Sequence, residues 1–137
     1  MPKDLGYNTG LAAEFYVLSV LHRKGFNASL TLGNRKAIDI VVESLDRTVT
    51  IDVKGMVSRT NWPLDNFTSA TRVNHYIALV TFNNRIKDHT VRPTVYLVPA
   101  ADIPQFFYVN PKGNRRTIQF SRMRDEGSKY LENWDSF

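Results

Sequence analysis

Two short apolar runs, residues 37–43 (AIDIVVE) and 48–54 (TVTIDVK), stand either side of the tetrapeptide Ser44-Leu45-Asp46-Arg47. Both alternate with the period of a β-strand, and the segment between them has the polar make-up of a tight turn. In the first run Ile38, Ile40 and Val42 share one face, opposite Asp39 and Val41. In the second, Val49, Ile51 and Val53 share a face, opposite Thr50, Asp52 and Lys54. An even-numbered loop fixes the register of the hairpin. Glu43 then faces Thr48, Val41 faces Thr50, and Asp39 faces Asp52. Two like charges directly opposed destabilise a sheet. A chain that keeps them has something to offset the repulsion, and a divalent cation is the usual compensation.

A third carboxylate is expected near this pair. Residues 9–24 have helical periodicity, with Thr9 as the expected N-cap and Gly25 after the last turn. Leu11, Phe15, Leu18 and Leu21 mark the expected buried stripe, and Glu14 falls inside it. A buried charge requires a partner or a metal. Downstream, residues 28–32, 75–82 and 94–98 read as further strands. Residues 61–72 read as irregular or a short helix, 99–104 as the start of a short helix, 115–120 as an edge strand, and 127–134 as a closing helix packing through Tyr130, Leu131 and Trp134. A helix followed by strands and then by alternating elements predicts a mixed α/β domain.

The chain has 137 residues, a length that suits one domain over 1–137. It has no cysteine, so its core forms without disulfides or cysteine-bound zinc. The absence of a signal-type segment and of a long apolar run predicts a cytoplasmic protein without membrane association. The net charge is +5, from 18 Lys and Arg against 13 Asp and Glu. That balance favours a polyanionic partner. The stretch 112–124 (KGNRRTIQFSRMR) carries only basic charge, so Lys112, Arg115, Arg116, Arg122 and Arg124 are candidate phosphate contacts. Arg35 and Lys36, just before the first Asp-bearing run, are two more. Arg59, Trp62 and Arg72 follow the second run and are candidates for a substrate-facing loop, with packing as the alternative for Trp62 before Pro63. The aromatic run Phe106-Phe107-Tyr108 reads first as core packing. The three histidines lack metal-ligand spacing, and neither a P-loop nor a Gly-x-Ser-x-Gly element is present.

Asp39 in AIDIVV, Asp52-Val53-Lys54 in TIDVKG and the upstream helix that carries Glu14 and ends in KGF together resemble the PD-(D/E)xK nuclease superfamily. Among its small members the chain most looks like Holliday junction resolvases. Ile38 stands where that family often has proline, and Asp52 where glutamate is commoner. The resemblance implies a restriction endonuclease-like core, a central mixed β-sheet flanked by helices. It also implies metal-dependent hydrolysis of DNA, duplex or branched, with Mg²⁺ or Mn²⁺ as cofactor. Asp39, Asp52 and the Val53 carbonyl would hold the metal, Lys54 would orient or activate the attacking water or stabilise the pentacovalent phosphate, and Glu14 would act directly or through a metal-bound water. A homodimer would suit a substrate with two strands. The alternative is an inactive nucleic-acid- or protein-binding module on the same fold.

Overall fold

The computed structural model describes residues 5–31, 38–68, 70–113 and 115–137. Helix α1 (Leu5–Arg23) precedes a five-stranded sheet with the order β1-β2-β3-β5-β6. Its strands are β1 (Asn27–Leu30), β2 (Ile40–Glu43), β3 (Thr48–Met56), β5 (His75–Thr81) and β6 (Thr94–Pro99). Only β3 and β5 pair in parallel; the other three ladders are antiparallel. A second, three-stranded sheet has the order β4-β8-β7, from β4 (Asn61–Pro63), β7 (Tyr108–Val109) and β8 (Arg116–Gln119). Helix α2 (Phe120–Glu126) follows β8, and a 3-10 helix covers Ala100–Phe106. The expected mixed α/β architecture, a central mixed sheet flanked by helices, is borne out.

The central sheet is buried on both faces. On one, Ile51, Val53, Ala78, Val80, Val95 and Leu97 pack with Ala13, Val17 and Leu21 of α1. On the other, Ile77, Leu79, Tyr96 and Val98 pack with Trp62 and Ile118 of the small sheet and Met123 of α2. Burial of each Val, Leu, Ile or Met side chain among them is worth roughly 1.5–3 kcal/mol.

Of the expected stripe only Leu21 is fully enclosed, and the helix contacts the sheet through a line one step round from the rest. Thr9, Ala13, Val17 and Leu21, spaced four apart, are enclosed, while Phe15 is 54% exposed and Leu11 and Leu18 are half-buried. The cause is close approach. A Cβ placed on Gly55 would lie 2.7 Å from the Ala13 Cβ and 3.3 Å from the Thr9 carbonyl oxygen. Small residues make the contact, and the larger ones are displaced to its flanks. The helix also begins before Thr9, which lies inside it rather than capping it. Gly55→Ala should destabilise the fold by about 1–3 kcal/mol, the usual cost of overpacking. Urea unfolding of the variant checks this, and an unchanged midpoint would contradict the close approach.

Two other expectations are corrected. Residues 116–119 form the middle strand of the small sheet, not an edge. The closing helix lies at Phe120–Glu126, with short 3-10 turns at Ser128–Tyr130 and Trp134–Ser136, instead of over 127–134. Tyr130 and Trp134 are buried as expected, but Leu131 is 44% exposed. Residue 69 apart, the stretch 61–72 contributes β4 and turns, and no helix among its described residues.

Candidate active site

The β2–β3 hairpin has the predicted register: Glu43 opposite Thr48, Val41 opposite Thr50 and Ile40 opposite Ile51. The turn closes through the Ser44 amide, which donates to the Arg47 carbonyl at 3.1 Å, supported by Ser44 Oγ on the same oxygen at 2.9 Å. The regular ladder stops at Ile40. Asp39 is then held by three backbone bonds. Its amide donates to the Ile51 carbonyl at 2.8 Å, and its carbonyl accepts from the Thr31 amide at 2.9 Å. Its carboxylate Oδ2 accepts from the Val53 amide at 2.7 Å. The last of these joins the Asp39 side chain to the strand that carries Asp52 and Lys54.

Asp52 is 7% exposed, and Lys54 Nζ lies 3.5 Å from its Oδ2. Burial pushes the Asp52 carboxyl up to about 7, against the opposing pull of Lys54. A hydrogen bond to the Asp39 carboxyl and the charge of Asp39 push it the same way. The two aspartates thus lie within hydrogen-bond reach of each other, and burial outweighs the lysine. Glu14 belongs to the same field: its carboxyl is raised by burial first and then by the charge of Asp39. The structure therefore brings Asp39, Asp52 and Lys54 together, with Val53 between the last two, and puts Glu14 within electrostatic reach of Asp39. Among the described residues no three His, Cys, Asp or Glu side chains gather tightly enough to enclose a metal by themselves. An ion here would rely on the aspartate pair, a backbone oxygen, water and substrate. Mg²⁺ is commonly held in that way, and the all-oxygen donor set fits it.

One more polar group lies on the same face. His75 is the register partner of Thr50, and its Nδ1 is 2.7 Å from Thr50 Oγ1. The ring is 2% exposed, and its Nε2 has no hydrogen-bond partner among the described residues. Burial, then the charge of Arg72, pushes it down to about 4. The unfolded chain takes up that proton near 6.5 and the folded chain only near 4. The stabilising preference for neutral His75 is therefore complete above about 6.5 and is lost as pH falls toward 4. Asp52 acts in the opposite direction over much of this window, so the comparison requires a variant. Between pH 7 and 5, His75→Asn should lose less stability than the unsubstituted chain. Equal losses would show that His75 is not held neutral.

The basic candidates are placed less uniformly. Arg115 pairs with Asp65 at 2.8 Å and Arg124 with Asp125 at 2.9 Å. Arg122 contacts Glu126 at 3.4 Å and lies over the Phe106 ring. Arg116 donates to the Asp65 and Phe67 carbonyls, both at 2.8 Å, which ties the 65–67 turn to β8. Lys112 is exposed in the turn between β7 and β8. Arg35 and Lys36 lie outside the described residues. Arg59 donates to Asn83, and Trp62 is fully buried as a packing residue. Phe106 is core, whereas Tyr108 is 46% exposed. Sequence reasoning missed His75 and Gly55; the glycine directly after Asp-Val-Lys was the available signal for the second. No helix among the described residues is long and apolar enough to cross a membrane.

No protein-family model and no curated protein matches the chain. Among solved structures it is similar to the bacterial homing endonuclease I-Ssp6803I, with a TM-score of 0.59 at 15% sequence identity. The alignment covers 96% of this chain and 91% of that one. The chain thus shares the fold of an endonuclease over nearly its whole length.

Proposed function

We propose that the chain is a Mg²⁺- or Mn²⁺-dependent phosphodiesterase that cleaves DNA, duplex or branched, as a member of the PD-(D/E)xK superfamily. The observation that carries this reading is the juxtaposition of Asp39 and the buried Asp52 beside Lys54. The fold shared with a homing endonuclease supports it. Asp39, Asp52 and the Val53 carbonyl would hold the ion, which supplies an acidified water and neutralises charge on the scissile phosphate. Water attacks phosphorus in line, and the bond to the leaving ester oxygen breaks. Lys54, beside Asp52, would donate to the phosphoryl oxygens as negative charge grows on them. Glu14, within electrostatic reach of Asp39, would take the proton of the attacking water, directly or through a metal-bound water. The Val53 amide and the Thr31–Asp39 bond fix the Asp39 side of the site before substrate arrives.

A homodimer would present two such sites to two strands. The exposed Tyr7 and Phe15 on α1, 71% and 54% accessible, support a second copy on that helix. The test is cleavage of linear, supercoiled and four-way-junction DNA with Mg²⁺, Mn²⁺ or EDTA, beside the Asp52→Ala/Lys54→Ala double variant. Metal-dependent cutting by the unsubstituted chain alone is expected. Cutting that survives the double substitution would place the chemistry elsewhere.

A further inference from the structure

The small sheet has one face in the core and one outward. Trp62 and Ile118 point inward and are fully buried. By the alternation of strands, Asn61 and Pro63 of β4, Thr117 and Gln119 of β8 and Tyr108 of β7 point outward. The register places Asn61 beside Gln119, and Pro63, Thr117 and Tyr108 in the next row. These residues, with Asn110 and Arg115, line a concavity of about 240 Å³. The Asn61, Thr117 and Gln119 side chains form no hydrogen bond within the protein among the described residues. No Lys, Asp or Glu lines the concavity, although such residues are the common choice for a face that meets only water.

We infer that this face reads base edges in the major groove of duplex DNA, with Asn61 and Gln119 as the specificity-determining residues. The inference rests on the DNA-cleaving reading only for the identity of the ligand. A major groove about 12 Å wide admits a two-stranded β-ribbon, and the β4–β8 pair, its strands about 4.8 Å apart, carries Asn61 and Gln119 side by side. The carboxamide of Asn or Gln offers one donor and one acceptor, the complement of adenine N7 and N6. The Tyr108 ring and the Thr117 methyl suit apolar contact with a thymine methyl. Flanking charge suits the phosphates. Lys112 is exposed in the β7–β8 turn, Arg115, paired with Asp65, lines the concavity, and Arg59 lies exposed two residues before Asn61. The face is also tied to the site, since β4 follows directly on the strand carrying Asp52 and Lys54.

The experiment is enrichment of bound sequences from a randomised duplex library in Ca²⁺, followed by affinity measurements at several salt concentrations. The unsubstituted chain should enrich a motif several base pairs long. Asn61→Ala/Gln119→Ala should lose that preference at adjacent positions by about tenfold or more per base pair, while log K against log salt keeps its slope. Lys112→Ala should do the reverse, lowering the slope by about one and leaving the motif intact. Gln119→Glu guards against a merely unfolded double variant, because its preferred base should shift from adenine toward cytosine. The same motif from the double variant, or no motif from a chain that binds DNA, would overturn the inference while leaving the nuclease reading in place. A motif lost on substitution in a chain that never cuts would have the opposite meaning. No duplex binding at all would overturn both.

Discussion

Asp52→Asn should abolish cleavage and, in the absence of divalent metal, make the protein more stable. The first effect follows from the loss of a charged oxygen that would hold the ion. A loss of several kcal/mol of transition-state stabilisation corresponds to a rate decrease of roughly 10³-fold or more. The second follows from burial. The Asp52 carboxyl is raised to about 7 in the folded chain, against an ordinary value of 3.8. The folded state therefore holds this proton more tightly. The stability that comes with it is fully present below about 3.8 and is lost as pH rises through about 7. At pH 8 the folded chain carries an ionised, enclosed carboxylate beside Asp39, and an amide of the same shape relieves it. A gain of roughly 1–3 kcal/mol is expected at pH 8, shrinking at acid pH. Thermal unfolding at pH 8 and pH 5 checks the difference. Mn²⁺ should raise the midpoint of the unsubstituted chain and leave that of Asp52→Asn nearly unchanged. A less stable Asp52→Asn protein at pH 8 would mean that the carboxylate holds the apo fold together.

Trp62→Ala should remove about 3–5 kcal/mol, a large share of the stability of a typical domain. Trp62 is fully enclosed between the two sheets, with Tyr96 and Phe120 at ring-centroid distances of 6.2 Å. Its Nε1 donates to the Val80 carbonyl at 2.9 Å, which fastens the small sheet to the central one. Alanine leaves a cavity and removes that bond together. Trp62→Phe keeps most of the volume and should lose less, about 1–3 kcal/mol. Urea unfolding followed by the fluorescence of the remaining Trp134 reads both variants. Equal losses would show that volume contributes little here.

The hairpin was legible in the sequence because two strict alternations and one even-length turn leave a single pairing that buries Ile40, Val42, Val49 and Ile51 together. The predicted direct opposition of Asp39 and Asp52 is not part of the ladder, which ends at Ile40; the Asp39 amide bonds to Ile51 instead, and its carboxylate still reaches the Val53 amide. The face of α1 was not legible, because hydrophobicity selects Leu11, Phe15 and Leu18, whereas the sheet selects residues small enough to approach Gly55. Even so, Glu14, next to Ala13 on that face, lies within electrostatic reach of Asp39. The C-terminal third was misread at Gly127. That glycine ends α2 with its amide donating to the Met123 carbonyl at 2.8 Å, and any Cβ there would strike Met123. Strands of two and three residues, such as β7 and β4, carry too few positions to show a period, so the small sheet appeared only in the structure.

The most direct test of the central claim is nicking of supercoiled plasmid by the unsubstituted chain and by Lys54→Ala, each with Mg²⁺ and with EDTA. Lys54 lies one-third exposed beside Asp52, so its loss leaves the core intact while removing the group placed to stabilise charge on the phosphate. Nicking that requires Mg²⁺ and falls by about 10²–10³-fold in Lys54→Ala is the predicted result. Nicking that is indifferent to EDTA, or equal in the two proteins, would contradict the assignment of this carboxylate–lysine cluster as a metal-dependent nuclease site.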